Sequence, residues 1–329
     1  MAWWDPPKTN KGMAWAGTGP FSQEILSDHQ GSARRFSLHL AILTRRRGEI
    51  DGWLYSQSLD NLQEIEVANK AAAHYILPTA VLRFAPTLCA VNLERCQFPN
   101  LVVLPSPNFP LLKLLILYEV IISEDSLHNL LSECTTLESL SLHFVNFGRI
   151  CISSLTIRSI IFNASWDTSQ ELVIENAPCL ERLVSSNLSM SPTNIRFIQA
   201  IDPLRSPTTV RSYPEKGMNN LQKYDPRDPV ECLEFHLKKV VLRNYNGNNK
   251  AAMDFAKFLI LNAKVLKDMK IEVISNRSDK RLQYHRRQLQ VENRASQDAR
   301  VELNRCGPRF MHSRYGHDFS RADPWDTVE

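Results

Sequence analysis

A leucine-rich-repeat solenoid, an α/β fold of parallel strands with helical or loop returns, is predicted by three observations. First, one pattern, Leu-x-x-Leu-x-Leu-x-x-apolar/Cys-x-apolar, recurs through the middle of the 329-residue chain. Its clearest copies are LCAVNLERCQF at 88–98, LKLLILYEVII at 112–122, LESLSLHFVNF at 137–147 and ISSLTIRSIIF at 152–162. Second, the fourth motif positions are spaced like repeats. Val91 and Leu115 are 24 residues apart, Leu115 and Leu140 are 25 apart, and Leu155 follows after 15, which leaves room only for a tight loop. Third, the pattern returns past residue 225 as a strand, a helix and a strand, with Val240 and Met269 as anchors 29 residues apart. Such a βαβ unit needs a right-handed crossover, so it caps or continues the same solenoid.

The elements follow from side-chain alternation. A strand sends successive side chains to opposite faces, so Val91 and Leu93 point inward with Leu88 while Asn92 and Glu94 point out. One copy cannot bury its apolar side; stacked copies bury each other's. Weaker copies flank these, LQEIEVAN with Ile65 as anchor and SQELVIENAPCLERL with Leu172 and Ile174. FSLHLAIL at 36–43 alternates imperfectly and predicts an edge strand. SEDSLHNLLSECTTLESL supplies a return helix, capped by Ser123 or Asp125, with Leu127, Leu130 and Leu131 as its stripe. In the second half, Asn248 or Asn249 can cap AAMDFAKFLILNAKVL. Residues 280–303 have a weak helical period.

The expected organisation is an unstructured segment at 1–21, a linker and first edge at 22–57, repeats at 58–189, a proline-rich loop at 190–227, a βαβ domain at 228–274, and a C-terminal helix and tail at 275–329. A formal charge of +4 is too mild to require nucleic acid or an anionic membrane. Seven cysteines without a CxxC pair read as reduced thiols of the cytoplasm or nucleus, with Cys96 where the backbone leaves its strand. The first residues lack the apolar core of a signal peptide. The longest apolar stretch, 111–122, is broken by Lys113 and Glu119 and is too short to span a bilayer.

ILSDHQGSARRFSLHL at 25–40, GEIDGWLYSQSLDNLQEIEVAN at 48–69, VECLEFHLKKVVLRNYNG at 230–247 and DFAKFLILNAKVLKDMKIEV at 254–273 together resemble the plant F-box/FBD/LRR-repeat proteins abundant in grasses. The likeness covers 22–310 and is most specific near 228–274, the FBD-type βαβ segment. It implies a substrate receptor of a cullin-RING ubiquitin ligase, in which an N-terminal F-box bundle binds a Skp-type adaptor and the repeats present the target. Here no F-box is expected before Ile25, because six Gly or Pro residues between Met1 and Gln23 leave no helical period. An adaptor is therefore expected for full-length relatives and not for this chain. The alternative is a truncated LRR/FBD protein that binds targets or sibling receptors without recruiting a ligase.

Catalytic, cofactor and metal sites are not expected. Gly12 to Gly17 has the spacing of a phosphate loop, but Thr18 stands where the lysine must be. Cys306, His312, His317 and Asp318 match no common zinc spacing. The basic runs Arg45–Arg47 and Lys280, Arg281, Arg286 and Arg287 read as solvated charge rather than a nucleic-acid surface. The surface expected to bind a target protein is the outward side of the strands, at Glu66, Asn92, Glu94, Tyr118, Ser141, His143, Thr156, Arg158, Glu175 and Arg243.

Overall fold

The structure, a computed structural model, describes residues 13–16, 32–40, 47–71, 73–99, 107–165, 169–186, 194–198, 230–274 and 279–305. The strands in chain order are β1 (Met13–Ala16), β2 (Arg35–Leu40), β3 (Glu64–Asn69), β4 (Tyr75–Ile76), β5 (Ala90–Glu94), β6 (Cys96–Gln97), β7 (Leu114–Tyr118) and β8 (Ser139–His143). They continue as β9 (Arg149–Ser153), β10 (Ser159–Asn163), β11 (Glu171–Asn176), β12 (Arg182–Ser186), β13 (Asn194–Phe197), β14 (Lys239–Tyr245), β15 (Asp268–Val273) and β16 (Arg300–Arg305). The helices are α1 (Arg47–Leu54), α2 (Glu124–Glu133), α3 (Glu231–Phe235), α4 (Lys250–Asn262) and α5 (Asp279–Gln288).

Eleven strands form one parallel sheet in the order β1-β2-β3-β5-β7-β8-β10-β12-β14-β15-β16. The fourth motif positions pair directly across it: Phe36 with Ile65, then Val91, Leu115, Leu140, Ile160, Leu183, Val240, Met269 and Val301. All of these are buried, and one continuous apolar core runs from Ala33 to Val301. The returns behind it include α2 and two short parallel sheets, β4-β6 and β13-β11-β9. Ser123 caps α2, its hydroxyl accepting from the Ser126 amide at 3.2 Å, and Asn249 caps α4 by accepting from Ala252 at 3.2 Å.

Two devices repeat at the strand ends. At the entrance, a threonine just before the first motif position donates its hydroxyl to the first-position carbonyl of the preceding repeat. Thr87 donates to Leu62 at 2.7 Å, Thr136 to Leu112 at 3.2 Å and Thr156 to Leu137 at 2.8 Å; Ser296 does the same to Leu266 at 2.7 Å. At the exit, the eighth position is left-handed: Arg95 (φ 53°), Glu119 (φ 48°), Phe144 (φ 54°) and Asn244 (φ 53°). The amides of Arg95, Glu119 and Phe144 donate to Tyr118, His143 and Asn163 of the next strand at 2.8–2.9 Å. Arg95 is thus the residue that turns the chain, and Cys96 after it already begins β6.

The structure corrects several sequence readings. The fourth repeat is anchored on Ile160, not Leu155; Ile157-x-x-Ile160-x-Phe162 fits the motif as well as the frame five residues earlier, and Leu155 is 66% exposed. Leu172 and Ile174 lie on β11 in a small rear sheet, and Leu183 occupies the ladder instead. β2 is no edge, because β1, within the stretch read as unstructured, pairs outside it. The stretch 280–303 is not one helix: α5 ends at Gln288 and Arg300–Arg305 adds a final strand. Between Leu183 and Val240 the chain makes its longest excursion, yet the two are direct partners, so the 228–274 segment continues the same sheet. Gly12, Gly17, Thr18, Arg45, Arg46, Cys306, His312, His317 and Asp318 lie outside the described residues.

Leu142 sits between Leu117 and Phe162 in the inward row and is 1% exposed. Leu142→Ala should lower stability by about 2–5 kcal/mol. Arg158→Ala, which removes a half-exposed pair with Glu181, should cost no more than about 0.5 kcal/mol. Equal urea midpoints for the two variants would refute the register. Thr136→Val keeps the shape and removes the entrance hydroxyl, for an expected loss of about 1 kcal/mol in the same melt. A Cβ on Gly247 would run into the imidazole of His285, itself 3% exposed on α5. Gly247→Ala should therefore raise hydrogen exchange over 279–305, and adding His285→Ala should reverse part of that rise.

Candidate interaction surface

The outward side chains fall into three rows, at the third, fifth and seventh motif positions of each strand. Seven of the residues picked from sequence lie in the last two rows: Glu66, Asn92, Glu94, Tyr118, Ser141, His143 and Arg243. Three do not. Thr156 is an entrance clamp, Arg158 stands at the strand entrance paired with Glu181 at 2.9 Å, and Glu175 lies on β11 in the rear sheet. The same frame error moved all three, since the strands in question begin at Ser159 and Arg182.

The row at the third motif position was missed entirely, because the motif begins the strand one residue too late. It holds Arg35, Glu64, Ala90, Leu114, Ser139, Ser159, Arg182, Lys239, Asp268 and Arg300. Strict alternation backward from Glu66, Asn92 and Lys270 would have found Glu64, Ala90 and Asp268.

Three zones result. Over β2, β3 and β5 the surface is acidic. The Arg35 guanidinium is shared, 3.1 Å from the Glu66 carboxylate and 3.7 Å from that of Glu64, and the Ser37 hydroxyl donates to Glu66 at 3.0 Å. Burial holds the Glu64 carboxyl above its ordinary value; Arg35 opposes this and Glu66 adds to it.

The middle zone is uncharged and closed to solvent. Ala90, Leu114, Ile116, Ile161, Val184 and Val241 form a second apolar cluster, each less than a tenth exposed. Beside it Ser141 is fully buried and His143 is 2% exposed. The Asn163 amide nitrogen lies 2.5 Å from His143 Nδ1, and Ser141 Oγ lies 2.5 Å from Nε2. Ser141, His143 and Asn163 thus form one buried hydrogen-bonded chain across β8 and β10. Tyr118 packs its ring on His143 and Phe144 at 5.8 and 5.7 Å, and burial raises its phenol.

Over β14, β15 and β16 charge returns. A recess of about 200 Å³ is lined by Lys239, Asp268, Lys270, Arg300 and Glu302. Arg300 pairs with Glu302 at 2.5 Å and Arg243 with Glu272 at 3.9 Å. Elsewhere, burial pushes the Cys96, Cys134 and Cys232 thiols up to about 12, which keeps them protonated and inert. Among the described residues no three His, Cys, Asp or Glu are grouped to hold a metal ion, and no helix is long and apolar enough to cross a membrane.

Comparison with known proteins accounts for both halves of the sheet. Residues 50–202 match the repeats described as "FBD-associated F-box protein At5g56370, LRR repeats", and residues 225–271 match the FBD. The F-box/FBD/LRR-repeat protein At1g13570 of Arabidopsis thaliana is 25% identical over 172 residues, which is 52% of this chain and 38% of that protein. The chain thus matches well under half the length of this relative. No solved structure matches. The chain thus carries, on one continuous sheet, segments similar to the LRR repeats and to the FBD of F-box/FBD/LRR-repeat proteins, a combination that points to a protein-interaction module.

Proposed function

We propose that this chain is the noncatalytic target-recognition part of a cullin-RING ubiquitin-ligase subunit, and that a target protein docks on the outer face of the eleven-stranded sheet. The observation that carries this reading is the sheet itself. Repeats and FBD share one unbroken ladder, so their outer side chains form a single surface with fixed spacing. A rigid array suits recognition of another folded or extended protein. Ser141, His143 and the thiols of Cys96, Cys134 and Cys232 are buried. In this mechanism the chain only tethers. Bound target is held at high effective concentration near the transfer chemistry of other subunits, and rate is gained by proximity.

A second reading keeps the docking and drops the delivery: the chain captures targets or sibling receptors and competes with intact receptors. One experiment addresses both. The epitope-tagged 329-residue chain and its Glu94→Lys/Lys270→Glu variant are expressed in plant cells, and co-purifying proteins are quantified. A set of partners reduced at least fivefold by the variant, at unchanged melting midpoint, is expected. Identical sets for both proteins would overturn the outer-face reading. A Skp-type adaptor and a cullin in the retained set assign the ligase role; their absence, with targets retained, assigns the competitor.

A further inference from the structure

We propose that the recess over β14, β15 and β16 is a subsite for one acidic side chain of the docked protein, an Asp or Glu carboxylate held between the ammonium groups of Lys239 and Lys270. This rests on the reading of the outer face as the docking surface and names what that face takes over its last strands. Five side chains line the recess of about 200 Å³: Lys239, Asp268, Lys270, Arg300 and Glu302. It is open to solvent, since Asp268 and Arg300 are exposed and Lys239 and Lys270 are only half-buried. A docking segment therefore need cover only the last three strands of the sheet. Register brings the two lysines together. Lys239 is the cross-strand partner of Asp268, and Lys270, two residues further along β15, stands between Val241 and Glu302. At ordinary strand spacing and rise their Cα atoms are about 8 Å apart on one face, so both ammonium groups reach a single carboxylate.

The cations around these two are already engaged. Lys238 pairs with Glu181 at 3.3 Å, Lys264 with Glu234 at 2.6 Å, Arg243 with Glu272 at 3.9 Å and Arg300 with Glu302 at 2.5 Å. Among the described residues Lys239, Lys270 and Asp268 make no ion pair within 4 Å, although Lys239 and Asp268 stand directly opposite each other. Two ammonium groups against one carboxylate leave one uncommitted positive charge in the recess. A carboxylate brings one negative charge and closes that balance. A phosphate monoester, with nearly two negative charges at neutral pH, would leave an excess beside Asp268. Partial burial adds to the attraction, because a charge pair removed from bulk water interacts more strongly than one on the open rim. Lys267 also lacks an ion pair among the described residues, but it is exposed at the strand entrance and lies outside the recess.

The test uses the full 329-residue chain and fluorescein-labelled 12-residue peptides of Ser, Ala and Gly whose one central residue is Glu, Gln or phosphoserine. By anisotropy the Glu peptide is expected to bind at least fivefold tighter than the Gln peptide at 50 mM salt, and Lys239→Gln/Lys270→Gln should abolish that preference. Lys267→Gln should leave it intact. Asp268→Asn removes the opposing carboxylate and should tighten the Glu peptide at least twofold, a gain that a misfolded variant would not show. Amine acetylation, read by mass spectrometry, should be slowed by the Glu peptide at Lys239 and Lys270 and not at Lys267. Equal binding of the Glu and Gln peptides, equal loss in Lys267→Gln, or no gain in Asp268→Asn would overturn the proposal. A phosphoserine peptide that binds tighter than the Glu peptide would overturn the assignment to a carboxylate. If the Glu peptide shows no preference while partners are still lost from Glu94→Lys/Lys270→Glu, the docking surface stands and the subsite fails. A Glu preference with unchanged co-purification keeps the subsite and removes the docking reading.

Discussion

Lateral burial of the inward rows is the constraint on which every described part of the molecule depends. A strand such as Leu114–Tyr118 has its inward leucines covered only because Val91 and Leu93 stand on one side and Leu140 and Leu142 on the other. Removed from its neighbours it would expose them, so no repeat is stable alone and stability passes from neighbour to neighbour. The chain between neighbours matters less than the next strand does. Leu183 and Val240 pair as closely as Leu115 and Leu140 although far more sequence lies between them. The FBD therefore serves the repeats first as the continuation of their ladder.

Turning the chain out of each strand has a cost that the same ladder offsets. Arg95, Glu119, Phe144 and Asn244 are all non-glycine residues held left-handed, a conformation that costs about 1–2 kcal/mol per residue. For the first three the amide so oriented donates to the next strand, extending the pairing by one more bond. The conformation persists because the neighbour over-determines it. At the entrances the threonine hydroxyls work to the same end, occupying carbonyls that begin the strands and fixing where each one starts.

That starting point decides the outer face as well. A shift of one residue would exchange the two faces of a strand, so the position of charge on the surface is a consequence of how the core packs. Glu66 and Glu94 come onto one face of adjacent strands only because Ile65 aligns with Val91 and Val67 with Leu93. Lys239 and Lys270 come near each other only because Val240 pairs with Met269. The apolar seam of Ile116, Ile161, Val184 and Val241 arises in the same way from four strands far apart in sequence.

The sequence by itself determined the solenoid, the repeats at Leu88, Leu112, Leu137, Leu237 and Leu266, the helix caps Ser123 and Asn249 among the offered choices, and the FBD resemblance. These are local properties: alternation and capping each involve a few adjacent residues. Only the tertiary structure decided between Leu155 and Ile160, between Leu172 and Leu183, and between helix and strand at 300–305. Each rival frame has apolar residues at acceptable spacing, and what separates them is which strand finds a hydrogen-bonding partner in register. The outer surface depends on the same choice. Thr156, Arg158 and Glu175 fell off it and Glu64, Lys239 and Asp268 came onto it, because facing is a property of the pair of strands and is not written in either one alone.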